Sequence, residues 1–196
     1  TSVRLALEAI NAPCVVTAQP EDVLAADRVI FPGVGAAGSA MRTLRSSGMA
    51  EAIKTVISRG TPTLGICLGT QIVLETSEED NNVECLGIIA GTVRKFRPET
   101  HWEKIPQMGW NSVSISAKHR IFDDVENNSE FYFVHSYYPA PSHQSAILGR
   151  TTYAGVDFAS VVTSGSLVAT QFHPEKSGRV GLRLLSNFCA WNPAKG

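Results

Sequence analysis

The stretch "TLGICLGTQIV", residues 63–73, sets Cys67 between two glycines where an apolar β-like run turns into something helix-like. Gly65-Ile66-Cys67-Leu68-Gly69 is the G-x-nucleophile-x-G pattern of a nucleophile elbow, with cysteine in place of serine. Its glycines allow a sharp, strained turn without Cβ clashes. The turn lifts the side chain to the carboxyl end of a strand, where open α/β sheets place their sites. A helix starting at about Leu68 adds unpaired N–H groups and the positive end of its dipole, and both favour thiolate over thiol. The same residues also read as a glycine-rich turn around a buried thiol, so the elbow needs partners elsewhere in the chain.

Outward from the elbow, "RVIFPG" (28–33) and "PTLGI" (62–66) read as strands. Between them, residues 36–60 carry one or two helices, with Gly60 as a C-terminal cap. Upstream, Val3, Leu7 and Ile10 share a face of an opening helix over residues 1–11, and "CVVTA" (14–18) reads as a short strand. Strands alternating with helices mean a parallel sheet with helices on its faces. From Leu86 the texture changes to short β-like runs: "GIIAGTVRKF", "SVSIS", "EFYFVHSYY", "SAILGRT" and "FASVVTSGSLVATQF". An amphipathic helix, "GRVGLRLLSNFCAW", closes the chain with Val180, Leu184 and Phe188 on one face. The expected fold is a single α/β domain over residues 1–196. Its sheet is largely parallel with helices on both faces, and antiparallel strands are added in the C-terminal half. An opening helix in such a sheet is usually preceded by a strand, so we expect a first strand to have been lost from this sequence.

Composition narrows the function. With 17 basic and 18 acidic side chains scattered along 196 residues, the net charge is −1, and no basic stripe marks a nucleic-acid or membrane partner. The apolar runs fall far short of the roughly 20 residues that span a bilayer. Cys14, Cys67, Cys85 and Cys189 are widely spaced without a C-x-x-C pair, which argues against a zinc site or disulfide framework and fits a reducing cytoplasm.

A thiolate in acyl transfer needs a base, and something to orient that base. His101, His119 and His143 lie in polar, loop-like contexts, and His135 ends an aromatic strand. His173 stands out in "LVATQFHPEKSG": Pro174 stops the strand, and Glu175 follows at i+2, on the same side of an extended backbone. A carboxylate there can fix the imidazole tautomer and leave the other ring nitrogen for sulfur. For the oxyanion, one donor is the backbone N–H of Leu68, and "PGVGAAG" (32–38) offers a second through a strand-to-helix turn. That turn is a poorer match to a phosphate loop, because it has G-x-G-x-x-S and no P-loop lysine.

Elbow, histidine, glutamate and glycine turn, in this order, resemble the class I (triad) glutamine amidotransferases, which release ammonia from glutamine through a cysteine thioester and pass it to a synthase partner. The finer resemblance is to the glutaminase subunits of imidazole glycerol phosphate synthases, of histidine biosynthesis. It rests on "FPGVG" (31–35), "GICLGTQ" (65–71), "SEE" (77–79), "KIPQMGWNSV" (104–113), "FYFVHSYY" (131–138) and "QFHPEKSG" (171–178). The resemblance implies a flavodoxin-like sheet, with Cys67 as nucleophile, His173 as general acid and base, and Glu175 as orienting carboxylate. It implies an oxyanion loop of Gly33, Val34 and Gly35 completed by Leu68. Gln71, Glu79, Ser136 and Tyr137 would surround L-glutamine. The implied partner is a β/α-barrel cyclase subunit, and no metal or organic cofactor is needed. Family members usually begin with a strand and an Asp-Tyr-Gly-like turn that this sequence lacks. Gln107 stands where they commonly have histidine, and Thr70 where methionine is frequent.

Two other functions fit the same residues. A glutaminase feeding a different synthase would keep the chemistry and fail to bind the cyclase. A stand-alone cysteine hydrolase of amides or γ-glutamyl peptides would turn over without a partner and accept bulkier substrates. A silent interaction subunit, the non-enzymatic alternative, is opposed by the intact triad.

Overall fold

The structure, a computed structural model, describes residues 2–98 and 103–195; His101 lies outside the described residues. The chain opens with α1 (Ser2–Ala9) and α2 (Pro20–Ala25), followed by strand β1 (Val29–Gly33). Two helices, α3 (Ala37–Ser46) and α4 (Met49–Ser58), lead to β2 (Thr63–Cys67). Gly60 lies two residues past α4 at φ +86°, the left-handed conformation that ends many helices. The elbow helix α5 (Leu68–Ile72) follows β2 without a gap. Next come β3 (Leu74–Ser77), β4 (Val83–Glu84), β5 (Ile89–Lys95), β6 (Gln107–Ile115), β7 (Ser129–His135) and β8 (Tyr137–Pro141). The chain ends with β9 (Ile147–Tyr153), β10 (Val156–Ser164), β11 (Leu167–Thr170) and α6 (Gly178–Ala190).

The main sheet has seven strands in the order β1-β2-β11-β10-β9-β6-β7. β1, β2 and β11 are parallel, and the remaining pairings in this sheet are antiparallel. The sheet is therefore not largely parallel as expected: the parallel part is confined to the end that carries the elbow, and the antiparallel additions from the C-terminal half make up most of the pairings. Alternation along the strands sends side chains to opposite faces. Leu64, Ile66 and Val168 join a core with α1 and α6, whereas Leu167 and Ala169 face α3, α4 and α5. Helices thus cover both faces. The first core holds a buried aromatic group of Phe131, Phe133, Phe158 and Phe172, with Phe131 and Phe172 stacked at 4.1 Å. Each such ring contributes roughly 1.5–3 kcal/mol by burial, and Phe172 fixes the strand end next to His173.

Two further expectations change. Residues 14–18 form no strand: among the described residues nothing pairs with them, and Val15 is 86% exposed. Pro13 and Pro20 bracket the segment, and neither has an N–H for a ladder. The helix after the elbow is also only five residues long. The β-branched pair Ile72-Val73 turns the chain into β3, which begins a second sheet, β4-β3-β5-β8. That sheet brings residues 77–79 and 136–137 towards the elbow.

Candidate active site

Cys67 is both the last residue of β2 and the N-cap of α5, with φ 56° and ψ −107°. A non-glycine residue held there costs on the order of 1–3 kcal/mol, and its neighbours hold it in place. In the β1–β2 register Gly33 lies opposite Cys67, so the turn of Val34 and Gly35 (φ +90°) emerges directly beside the sulfur. The approach is close. A Cβ on Gly33 would meet the Leu68 Cβ at 2.9 Å, and one on Gly69 would run into the Phe31 carbonyl. Thr70 ties α5 to the next strand by donating its hydroxyl to the Thr170 carbonyl.

At the end of β11, His173 and Glu175 are buried together, and Nδ1 of the ring meets the Glu175 carboxylate at 2.8 Å. The turn that holds them is built from the backbone outward. The His173 N–H donates to the Tyr132 carbonyl at 2.9 Å, and the buried Ser177 hydroxyl donates to the His173 carbonyl at 2.6 Å. α6 then crosses the Pro174 carbonyl at Gly181, where any Cβ would collide with that oxygen. Burial disfavours the charged ring. Interaction with the neighbouring Cys67 sulfur and with Glu175 outweighs it, and the His173 pKa rises to about 9.

The structure brings Cys67, His173 and Glu175 together. His173 Nε2 and Glu175 Oε2 are buried without a hydrogen-bond partner. The Cys67 thiol instead donates to the Val134 carbonyl at 3.9 Å and accepts from the Gln171 side-chain amide at 3.9 Å.

The residues expected around a substrate cluster beside the elbow. Gln71 is buried and donates to the Tyr137 carbonyl at 2.9 Å and to the Gln171 side-chain oxygen at 3.0 Å. Glu79 accepts the Ala37 N–H at 2.7 Å and Asp80 accepts the Gly38 N–H at 3.1 Å, so both carboxylates grip the start of α3 just after the oxyanion loop. Burial, followed by the charges of Glu79, Asp80 and Glu78, raises the Tyr137 hydroxyl above its usual range, which puts Tyr137 within electrostatic reach of Glu79. Ser136 and Tyr137 also line an open cleft of about 490 Å³ with Lys95, Phe96, Pro98, Glu103 and Ile105. None of the triad residues lines that cleft.

His135 is buried, and its pKa falls to about 4 because desolvation penalises the charged ring. Its Nδ1 lies 2.7 Å from the Tyr137 carbonyl, which can only accept, so Nδ1 carries the proton. Nε2 of the neutral ring is then an acceptor, and it lies 3.0 Å from the Gln107 side-chain oxygen, so a hydrogen bond there requires the Gln107 amide turned over to present its N–H. Sequence reading did not find Gln171, Ser177, Gly181 or the Gln107–His135 pair. Gln171 and Ser177 flank the His-Pro-Glu run, and that proximity was the only available signal. Among the described residues no group of three His, Cys, Asp or Glu side chains is arranged to hold a metal, and no helix is long and apolar enough to cross a membrane.

Comparison with known proteins places the chain in a family. The Desulfovibrio desulfuricans "Imidazole glycerol phosphate synthase subunit HisH" is 50% identical over 193 residues, 96% of this chain and 88% of that protein. Its namesakes from Herpetosiphon aurantiacus and Dehalococcoides mccartyi (strain CBDB1) are 48% and 45% identical over 93% and 95% of this chain, and 85% and 89% of theirs. A crystal structure of a glutamine amidotransferase superposes with a TM-score of 0.73 at 15% identity, covering 96% of this chain and 91% of that one. PurLQS from Thermotoga maritima gives 0.71 at 18% identity, with the same coverage of each chain. Both structural likenesses concern the fold. The family model "Glutamine amidotransferase class-I" matches residues 2–191, and the chain belongs to that family.

Proposed function

We propose that this chain is the glutaminase subunit of an imidazole glycerol phosphate synthase, formed as one domain over residues 1–196. It hydrolyses the side-chain amide of L-glutamine and supplies the ammonia to a cyclase subunit. The observation that carries the reading is the buried Glu175–His173 pair, 2.8 Å between carboxylate and ring, beside a cysteine in an elbow conformation next to Gly33–Gly35. The 45–50% identity to HisH subunits supports the choice of synthase.

In this reading the proton of Cys67 already resides on His173 Nε2, as the raised His173 pKa of about 9 favours, and the thiolate Sγ attacks the amide carbon of glutamine. Backbone N–H groups of the 33–35 turn and of Leu68 receive the oxyanion. The imidazolium gives its proton to the departing nitrogen, so ammonia leaves and a γ-glutamyl thioester remains. Water then attacks the thioester carbon as His173 takes its proton. Collapse of the second tetrahedral intermediate releases glutamate, and the thiol recovers its hydrogen. Glu175 accepts from Nδ1–H throughout and fixes the tautomer. Glu79, with one oxygen on Ala37 N–H and a second available, is positioned for the substrate ammonium.

The test is glutamate release from glutamine by wild type and Cys67→Ser, each alone and with the cyclase subunit carrying its substrate or an analogue. Stimulation of wild type by the liganded cyclase, abolished in Cys67→Ser, is expected. Fast turnover without the partner would move the assignment to a stand-alone amide hydrolase. Intact glutaminase chemistry without cyclase binding would move it to another synthase.

A further inference from the structure

As a neutral thiol, Cys67 donates to the Val134 carbonyl. Once sulfur loses its proton, that carbonyl opposes it, since two acceptors then face each other. The imidazolium that receives the proton is one donor to the thiolate, and the fully buried Gln171 amide, 3.9 Å from Sγ, is a second one that keeps its hydrogen throughout.

Which end of that amide faces sulfur follows from its neighbours. The Tyr137 carbonyl can only accept, so the Gln71 end that meets it at 2.9 Å is the NH₂ group. The second hydrogen of the same NH₂ points to Gln171 at 3.0 Å, which must therefore present its oxygen. The remaining end of Gln171, the one against Sγ, is then its own NH₂. One backbone carbonyl thus sets the direction of two amides in series.

We infer that Gln171 is a further catalytic residue, whose side-chain N–H stabilises the Cys67 thiolate, and that Gln71 is the positioning residue that holds the Gln171 amide in this polarity. The inference rests on the reading of Cys67 as the nucleophile. It assigns to Gln71 a duty besides substrate contact, because both of its N–H bonds are already committed and only its oxygen is left for glutamine. The donor acts before any substrate arrives, so it shows in the reactivity of the free enzyme.

The experiment is alkylation of the full chain by iodoacetamide at pH 7 without glutamine, read by peptide mass spectrometry, with the exposed free thiol of Cys14 as reference in the same molecule. A hydrogen bond to a charged group changes an equilibrium by about tenfold or more, so Gln171→Met is expected to slow Cys67 about tenfold relative to Cys14. Gln71→Met is expected to slow it severalfold, and the double variant no further than Gln171→Met alone. Thermal unfolding of each variant checks the fold. Should Gln171→Met fail to fold, Gln171→Glu keeps the oxygen that Gln71 donates to, and at pH 8 its ionised carboxylate must slow Cys67 at least as much. In wild type, the Gln171 side-chain nitrogen resonance should move when Cys67 is alkylated.

An unchanged Cys67 rate in a folded Gln171 variant, or an unmoved resonance, overturns the donor role. Additive effects in the double variant overturn the relay. Wild type that releases no glutamate even with the liganded cyclase, yet shows these reactivity changes, would sink the glutaminase reading and leave the donor intact.

Discussion

Two buried histidines carry opposite charge tendencies, and each sets a pH dependence. His173 has a folded-state pKa of about 9 against an ordinary 6.5, so the folded protein holds a proton that the unfolded chain has lost across that window. Its stabilisation is complete below 6.5 and fades as pH rises through 9. Glu175→Gln removes one of the charges responsible. The melting temperature of the variant should decline less steeply than that of wild type between these values, while glutamine turnover falls by about 10²–10⁴-fold. Equal slopes would show that Glu175 does not hold the imidazolium. His135 behaves in reverse: with a folded pKa of about 4, the unfolded chain binds the extra proton, and stability is lost as pH falls from 6.5 through 4. His135→Gln should flatten that acid limb of the melting curve without abolishing it, since burial also lowers His119. An unchanged acid limb in His135→Gln would mean that His135 is not the group whose protonation the fold resists. The triad was legible at this scale because cysteine, histidine and glutamate stand in local patterns. Gln171 was not, since a glutamine beside a histidine has no signature until another chain segment shows what it touches.

At the scale of elements, the site is made by two strand-to-helix junctions that pack too tightly for side chains. The first, β2 into α5, was visible in advance because both glycines of the elbow sit within two residues of Cys67. The second was not. α6 crosses the His-Pro-Glu turn at Gly181, six residues beyond Glu175, in a helix whose periodicity marks only its apolar face. Gly181→Ala places a methyl against the Pro174 carbonyl, so either α6 or the turn must shift. A loss of about 2–4 kcal/mol in denaturant unfolding is expected, comparable to overpacking and backbone displacement in other cores. Turnover measured well below the new midpoint should fall with it, because the turn fixes His173. A stability loss with full activity would show that α6 gives way and the turn does not. The extent of the second sheet was hidden for a different reason: "TQIVLETSEE" continues a helix by composition, and only the pairing of β3 with β5 and β4 makes it a strand.

Over the whole molecule, the nucleophile sits on rigid strands and its substrate-facing partners on tethered loops. β2 lies between β1 and β11, and Leu64, Ile66 and Val168 are fully buried, so this unit opens only with global unfolding. The oxyanion turn at 33–35 is held through α3, whose first N–H groups are gripped by Glu79 and Asp80. Those two acids belong to a tight loop in which Asp80, Asn81 and Asn82 have φ of 49°, 66° and 65°. Three successive residues in the left-handed region leave few ways to relax without releasing the grip. The order of elements foretold the sheet and its covering helices, since hydrophobic periodicity is local. It could not foretell that residues 79 and 80 would cap a helix begun at residue 37, because that contact depends on how two sheets meet. A diazoketone analogue of glutamine that alkylates Cys67, with loss of N₂, should therefore slow amide hydrogen exchange in residues 33–38 and 78–82, and leave β2 and β11 unchanged at their global limit. In Asp80→Ala, where the Gly38 N–H loses its acceptor, residues 33–38 should exchange about tenfold faster without the analogue and regain protection when it is bound. Equal exchange at 33–38 in Asp80→Ala and wild type would mean that the loop at residues 79–82 does not restrain the oxyanion turn. Protection spreading into β2 on alkylation would place Cys67 on a mobile element.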